Sequence, residues 1–137
     1  MARTARRLAK TDSDIHKGLI RIVETTAQAI HGESLRNAPK GETAGLRTGY
    51  QIDERRLKRD LQASVFNDTF YTPYQEFGTG SLVSVPPGFE AMAMQFKGAG
   101  IKEVNITPQP HFAPAIERNE PRHIKAIEKL IDKHTDR

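Results

Sequence analysis

Ile15, Leu19, Ile22, Thr26 and Ile30 recur at steps of three or four residues through TDSDIHKGLIRIVETTAQAIHGESLRNA, residues 11–38. That spacing puts them on one face of an α-helix. Asp12 or Ser13 is expected to cap its start, and Asp14 to favour the positive end of the helix dipole. Pro39 is expected to stop it, because proline disfavours helix at the residue before it. Gly18 and Gly32 weaken the pattern without breaking it. A second helical pattern closes the chain, with Ile116, Ile124, Ile127, Leu130 and Ile131 on one side. Lys125, Glu128, Lys129, Asp132 and Lys133 mix signs on its polar side, as an ordinary solvated surface does. Pro121 falls inside this pattern and predicts a kink or a restart, with Asn119 as a cap.

Between the helices the period changes. LKRDLQASVFN (57–67) alternates, with Leu57, Leu61, Ala63 and Val65 on one face, and reads as a strand. Tyr71, Tyr74 and Phe77 suit a helical turn in which Pro73 is tolerated only in the first turn. FEAMAMQF (89–96) and IKEVNIT (101–107) alternate on either side of KGAG and read as a hairpin. PKGETAGLRTG and SLVSVPPG read as loops. PQPHFAPAI (108–116) reads as a stiff, extended lead into the last helix. Two amphipathic helices flanking short strands make an α+β domain: a long N-terminal helix and a C-terminal helix packed on a small, mostly antiparallel sheet with long loops.

The chain has 137 residues, the size of one domain. Its net charge of +4 is uneven, since MARTARRLAK holds four basic side chains and no acid. The expected organisation is a flexible basic arm at 1–11 and one α+β domain at 12–137. A second basic cluster is Arg55, Arg56, Lys58 and Arg59. These residues and Arg3, Arg6, Arg7 and Lys10 are the candidate contacts to DNA phosphates or to an acidic partner. No cysteine is present, which removes disulfides, thiolate metal sites and cysteine nucleophiles. No apolar run approaches the roughly 20 residues of a membrane helix, so no membrane partner is expected.

Chemical motifs are absent where they would be diagnostic. GTGSLVS lacks both the spacing and the lysine of a phosphate-binding loop. His16, His31, His111, His123 and His134 form no metal-ligand spacing. His111, between Pro110 and Phe112, is expected to be a half-buried packing residue. No G-x-S-x-G elbow occurs. Glu76, set among aromatics, would have a raised pKa if buried and could then serve as a general acid. A lone carboxylate is weak support for that role, and the favoured reading is a carboxylate bonded to backbone or to an arginine. No catalytic constellation emerges, so the sequence favours a binding or structural protein over an enzyme, with no cofactor.

Three motifs together resemble one family. APKGETAGLR (38–47) resembles an A-P-x-x-T-G-x-L-R element, through Pro39, Thr43, Gly45, Leu46 and Arg47. YTPYQEFGTG (71–80) matches Y-x-x-Y-x-E-F-G-T at Tyr71, Tyr74, Glu76, Phe77, Gly78 and Thr79. PQPHFAPAI resembles P-Q-P-F-L-x-P-A-I through Pro108, Pro110, Phe112, Pro114 and Ala115. Order and overall length also agree with the neck and tail-completion (head–tail joining) proteins of siphophages, the family of the minor tail protein Z of phage lambda. Ala44 separates Thr43 from Gly45 where the family usually has adjacent Thr-Gly, and His111-Phe112 stands where Phe-Leu is usual.

The resemblance implies a virion structural protein. It implies a cyclic homo-oligomer, expected to be six-fold, at the head–tail junction of a tailed bacteriophage, assembled in the host cytoplasm. The implied partners are copies of itself, the head-side connector or head-closure protein, the tail terminator or tail tube, and the genomic DNA passing through the lumen. Gly78 and Gly80 would then serve backbone geometry. Tyr71, Tyr74 and Phe77 would pack the turn, in the core sooner than at an interface. Loops at 37–50 and 78–90 would reach neighbouring subunits or rings. Two other readings compete with this one. A small sequence-independent nucleic-acid-binding protein would show salt-dependent affinity for DNA. A small hydrolase would show a cleft with a perturbed carboxylate and a partner base.

Overall fold

A 36-residue helix, α1 (Ala2–Asn37), is the spine on which the other elements lie. The structure, a computed structural model, describes residues 2–40, 44–79, 85–91 and 106–135. After α1 come the short helix α2 (Ala44–Thr48), strand β1 (Tyr50–Asp53), the helical turn α3 (Leu57–Asp60) and strand β2 (Ser64–Asn67). Helix α4 (Thr72–Phe77) follows, and the 23-residue α5 (Ala113–Thr135) ends the described chain. The protein is α+β, with a long N-terminal helix, a C-terminal helix and a small antiparallel sheet. Tyr50 pairs with Asn67, Gln51 with Phe66, Ile52 with Val65 and Asp53 with Ser64.

α1 begins at Ala2, where the sequence suggests a flexible arm. Ala, Arg, Leu and Lys dominate residues 2–10, and all are strong helix formers. Asp12 and Ser13 therefore lie inside the helix and cap nothing. α5 packs antiparallel on α1. Thr26 Oγ1 and His123 Nδ1 stand 2.8 Å apart, and a Cβ added at Gly18 would meet Leu130 Cδ1 at 2.6 Å. The glycine that weakens the helix pattern makes room for Leu130 of the second helix.

Three further expectations need correction. Leu57–Asp60 is a helical turn, and only Ser64–Asn67 is a strand. Leu61 takes the left-handed conformation, φ 53°, and its N–H bonds Leu57 O, which ends the turn before β2 begins. The loop expected at 37–50 contains α2, whose Leu46 is fully buried. α5 runs unbroken through Pro121, with no restart. Pro121 and Glu117 are both exposed, so water can meet the carbonyl that the proline leaves without an amide. Asn119 is buried within the helix, where its Nδ2 donates to Ala115 O at 2.8 Å. Most of the expected hairpin at 89–107 lies outside the described residues, as do Thr43 and Gly80.

Candidate functional site

The second and third motifs meet at the start of α5. Phe112 is the residue before the helix, and its carbonyl accepts from Ala115 N at 3.0 Å and Ile116 N at 3.1 Å. The first amides of a helix have no partner inside it. Here Glu76, presented by α4, supplies one from 37 residues earlier in the chain. Its Oε1 accepts from Ala113 N at 2.8 Å, and its Oε2 from His111 N at 2.9 Å and Phe112 N at 3.0 Å. Pro114 has no amide to satisfy. The His111 ring adds to the cluster, with Nδ1 2.9 Å from Gln109 O and 3.0 Å from Glu76 Oε2. Both neighbours are acceptors, so Nδ1 carries a proton. His111 is wholly buried, more deeply than its sequence context suggests.

The chain on either side of Glu76 is stitched to the same segment. Gln109 N donates to Gln75 O at 2.7 Å, Thr79 N to Ile106 O at 3.1 Å, and Ile106 N to Thr79 Oγ1 at 2.9 Å. Gly78 sits between these bonds at φ 77°. A Cβ there would stand 2.7 Å from Ile106 O and 2.8 Å from the Pro108 ring. Glycine is therefore required twice over, by conformation and by close approach. The first motif touches the second at its other end. Asn67 Nδ2 donates to Leu46 O at 2.7 Å, and a Cβ at Gly45 would be 2.9 Å from the Tyr71 hydroxyl. Arg47 Nε donates to Leu35 O at 3.2 Å, near the end of α1.

Among the other motif residues, Phe77, Thr79 and Ala115 are buried. Pro39, Tyr71, Tyr74, Pro108, Phe112 and Pro114 are half-buried, while Pro110 is exposed. Phe70, beside the second motif, is 82% exposed and stacks edge-on against Tyr71 at 5.3 Å.

Burial alone would raise the Glu76 pKa. The His111 side chain and the three backbone amides outweigh it, and the net shift is downward. The carboxylate bonded to backbone, the reading the sequence favours, is the one found, and a carboxylate saturated with donors is a poor proton donor. Burial, and next the Glu76 charge, push the Tyr50 phenol upward, so it stays protonated. An apolar cleft of about 430 Å³ adjoins Glu76, lined chiefly by Tyr50, Val65, Phe66, Phe77, Phe89 and Phe112. Among the described residues no group of three or more His, Asp or Glu converges as metal ligands. No described helix is long and apolar enough to cross a membrane.

The two basic clusters differ. Arg55 Nε lies 2.9 Å from Asp53 Oδ1, Arg56 Nε 2.7 Å from Asp60 Oδ2, and Arg59 Nη2 3.0 Å from the same Asp60 oxygen. Hydrogen bonds from the Arg55 side chain and then its backbone hold Asp53 down at about 2. The Lys58 carbonyl accepts from His16 Nε2 at 3.2 Å. Three of these four cations are therefore matched by neighbouring acids. Arg3, Arg6, Arg7 and Lys10 are exposed on α1 and make no ion pair with a described residue. Sequence reasoning stopped this cluster at Lys10, although Lys17 and Arg21 continue its helical spacing.

Comparisons with protein-family models, with curated proteins and with solved structures found no match.

Proposed function

We propose that this chain is a structural subunit of the head–tail junction of a tailed bacteriophage, a ring-forming neck or tail-completion protein. The observation that carries the reading is the convergence of the three resembling elements. Although dispersed over residues 38–116, they meet in one clasp: Asn67 and Tyr71 against Leu46 and Gly45, and Glu76 against the start of α5. A ring needs two different surfaces on each subunit. Exposed large apolar side chains stand on separate elements: Phe66 with the nearby Phe70 at the sheet, Ile124 with Ile131 on α5, and Leu8 on α1. Such residues suit subunit contacts. The Gly78 and Thr79 region serves backbone geometry in this reading, and the protein acts through its surfaces.

The test is a phage carrying a nonsense codon in this gene, its lysate viewed by electron microscopy. DNA-filled heads beside separate, finished tails are expected. Intact joined particles would remove the protein from the junction.

A further inference from the structure

Opposite its apolar face, α1 carries a second stripe. Arg3, Arg6, Arg7, Lys10, Lys17 and Arg21 follow at steps of three, four or seven residues, one face of a helix, and all are exposed. At about 1.5 Å per residue the stripe is about 27 Å long. α5 repeats the arrangement with Arg118, Arg122, Lys125, Lys129 and Lys133, also exposed. Antiparallel packing sets Lys17 and Arg21 beside the α5 stripe, and Arg7 and Lys10 continue the line to the C-terminal end of α5, where they share a cavity with His134. Arg21, Thr25 and Ala29 of α1 line one shallow groove with Arg122 and Ala126 of α5. Val23, Ala27 and Ile30, which face the sheet side, lie elsewhere on α1.

Asp14 and Glu24 on α1 and Glu128 and Asp132 on α5 interrupt or border the face, and Glu33 reaches Arg122 at 3.4 Å. The other cations of the two stripes pair with no described residue. Six cations on α1 and five on α5 make eleven of the chain's 21 Lys and Arg. The two helices together carry the whole net charge of +4, and the rest of the chain is neutral.

We infer that this two-helix face is a docking surface for the phosphate backbone of double-stranded DNA. Neither helix contains an aromatic residue. Protein interfaces are built around aromatic and apolar anchors and are poor in lysine. Single-stranded nucleic acid is held on aromatic platforms. Stripes of Lys and Arg with Thr25, Gln28 and Ala29 between them suit neither. They suit duplex phosphates, met without regard to sequence. Arg55, Arg56 and Arg59 are left out, because each is already ion-paired, Arg55 with Asp53 and the other two with Asp60. The inference rests on charge placement and survives failure of the head–tail reading.

The test is fluorescence anisotropy of the full chain with a random-sequence duplex of about 20 base pairs, from about 50 to 200 mM salt. Affinity should fall with salt at a log–log slope of about −0.9 per phosphate neutralised. R118Q/K125Q/K129Q on α5 and R6Q/K10Q/K17Q on α1 should each weaken binding at least about tenfold at low salt and flatten the slope by about 2–3. R55Q/R59Q should stay within about twofold of wild type, as both guanidiniums are already engaged by Asp53 and Asp60. Circular dichroism should show all three variants folded, since every substitution is exposed. Absence of salt-dependent duplex binding by the wild type would overturn the proposal, as would equal losses in the helix variants and R55Q/R59Q. A poly-glutamate chain that competes as well as the duplex would also overturn it, in favour of an acidic protein partner.

Discussion

The clasp around Glu76 and the outer face of the α1–α5 pair treat charge in opposite ways. At the clasp one carboxylate is buried, and three backbone amides and an imidazole N–H converge on it. On the helices eleven cations stand in water, and only Arg122 has an acidic partner among the described residues. A buried charge with a full set of donors fixes geometry, because removing it strands every donor. An exposed, unmatched charge adds little to stability and remains available to a partner. The sequence motifs thus mark the part of the molecule that holds the fold, while the face proposed to dock DNA carries no motif.

The comparison breaks most visibly at Glu76. Glu76→Ala leaves the amides of His111, Phe112 and Ala113 without an acceptor, and should cost about 3–5 kcal/mol. Urea denaturation read by circular dichroism checks this, and a loss below about 1 kcal/mol would mean that the cap is dispensable. Gly78→Ala should cost less, about 1–3 kcal/mol for the positive φ, with added strain from the fixed Ile106 carbonyl. A denaturation midpoint unchanged by that substitution would show that residues 75–79 do not run against 106–108 as described.

Both long helices and the α4 turn were legible in the sequence, because apolar periodicity over many turns and a first-turn proline are local signals. The antiparallel α1–α5 packing was not, although Gly18 makes room there for Leu130. The two four-residue strands were too short for alternation to separate them from helical spacing, and Leu57–Asp60 satisfied both patterns. The helical start of α1 was hidden because charge drew the eye to an arm, while the helix propensity of Ala, Arg and Leu decided the matter. Glu76 was legible as unusual, and its bond to backbone was one of the two outcomes weighed. That its partners were the first amides of α5 was not, since a contact across 37 residues leaves no local trace. Of the basic face only Arg3, Arg6, Arg7 and Lys10 were legible, because its other members lie farther along α1 and on α5, where they mix with Glu128 and Asp132.

The sign of the Glu76 shift separates a structural clasp from an acid poised for catalysis. A group whose pKa is depressed in the folded state contributes stability that is present above its unfolded value. That stability is lost as the pH falls through the folded value. The direct measurement is a ¹³C NMR titration of the Glu76 carboxyl, assigned with the Glu76→Gln variant. A midpoint below the ordinary value of 4.5, with stability falling as pH drops through it, is the predicted result. A midpoint above 4.5 would contradict the clasp and return Glu76 to the role of a general acid.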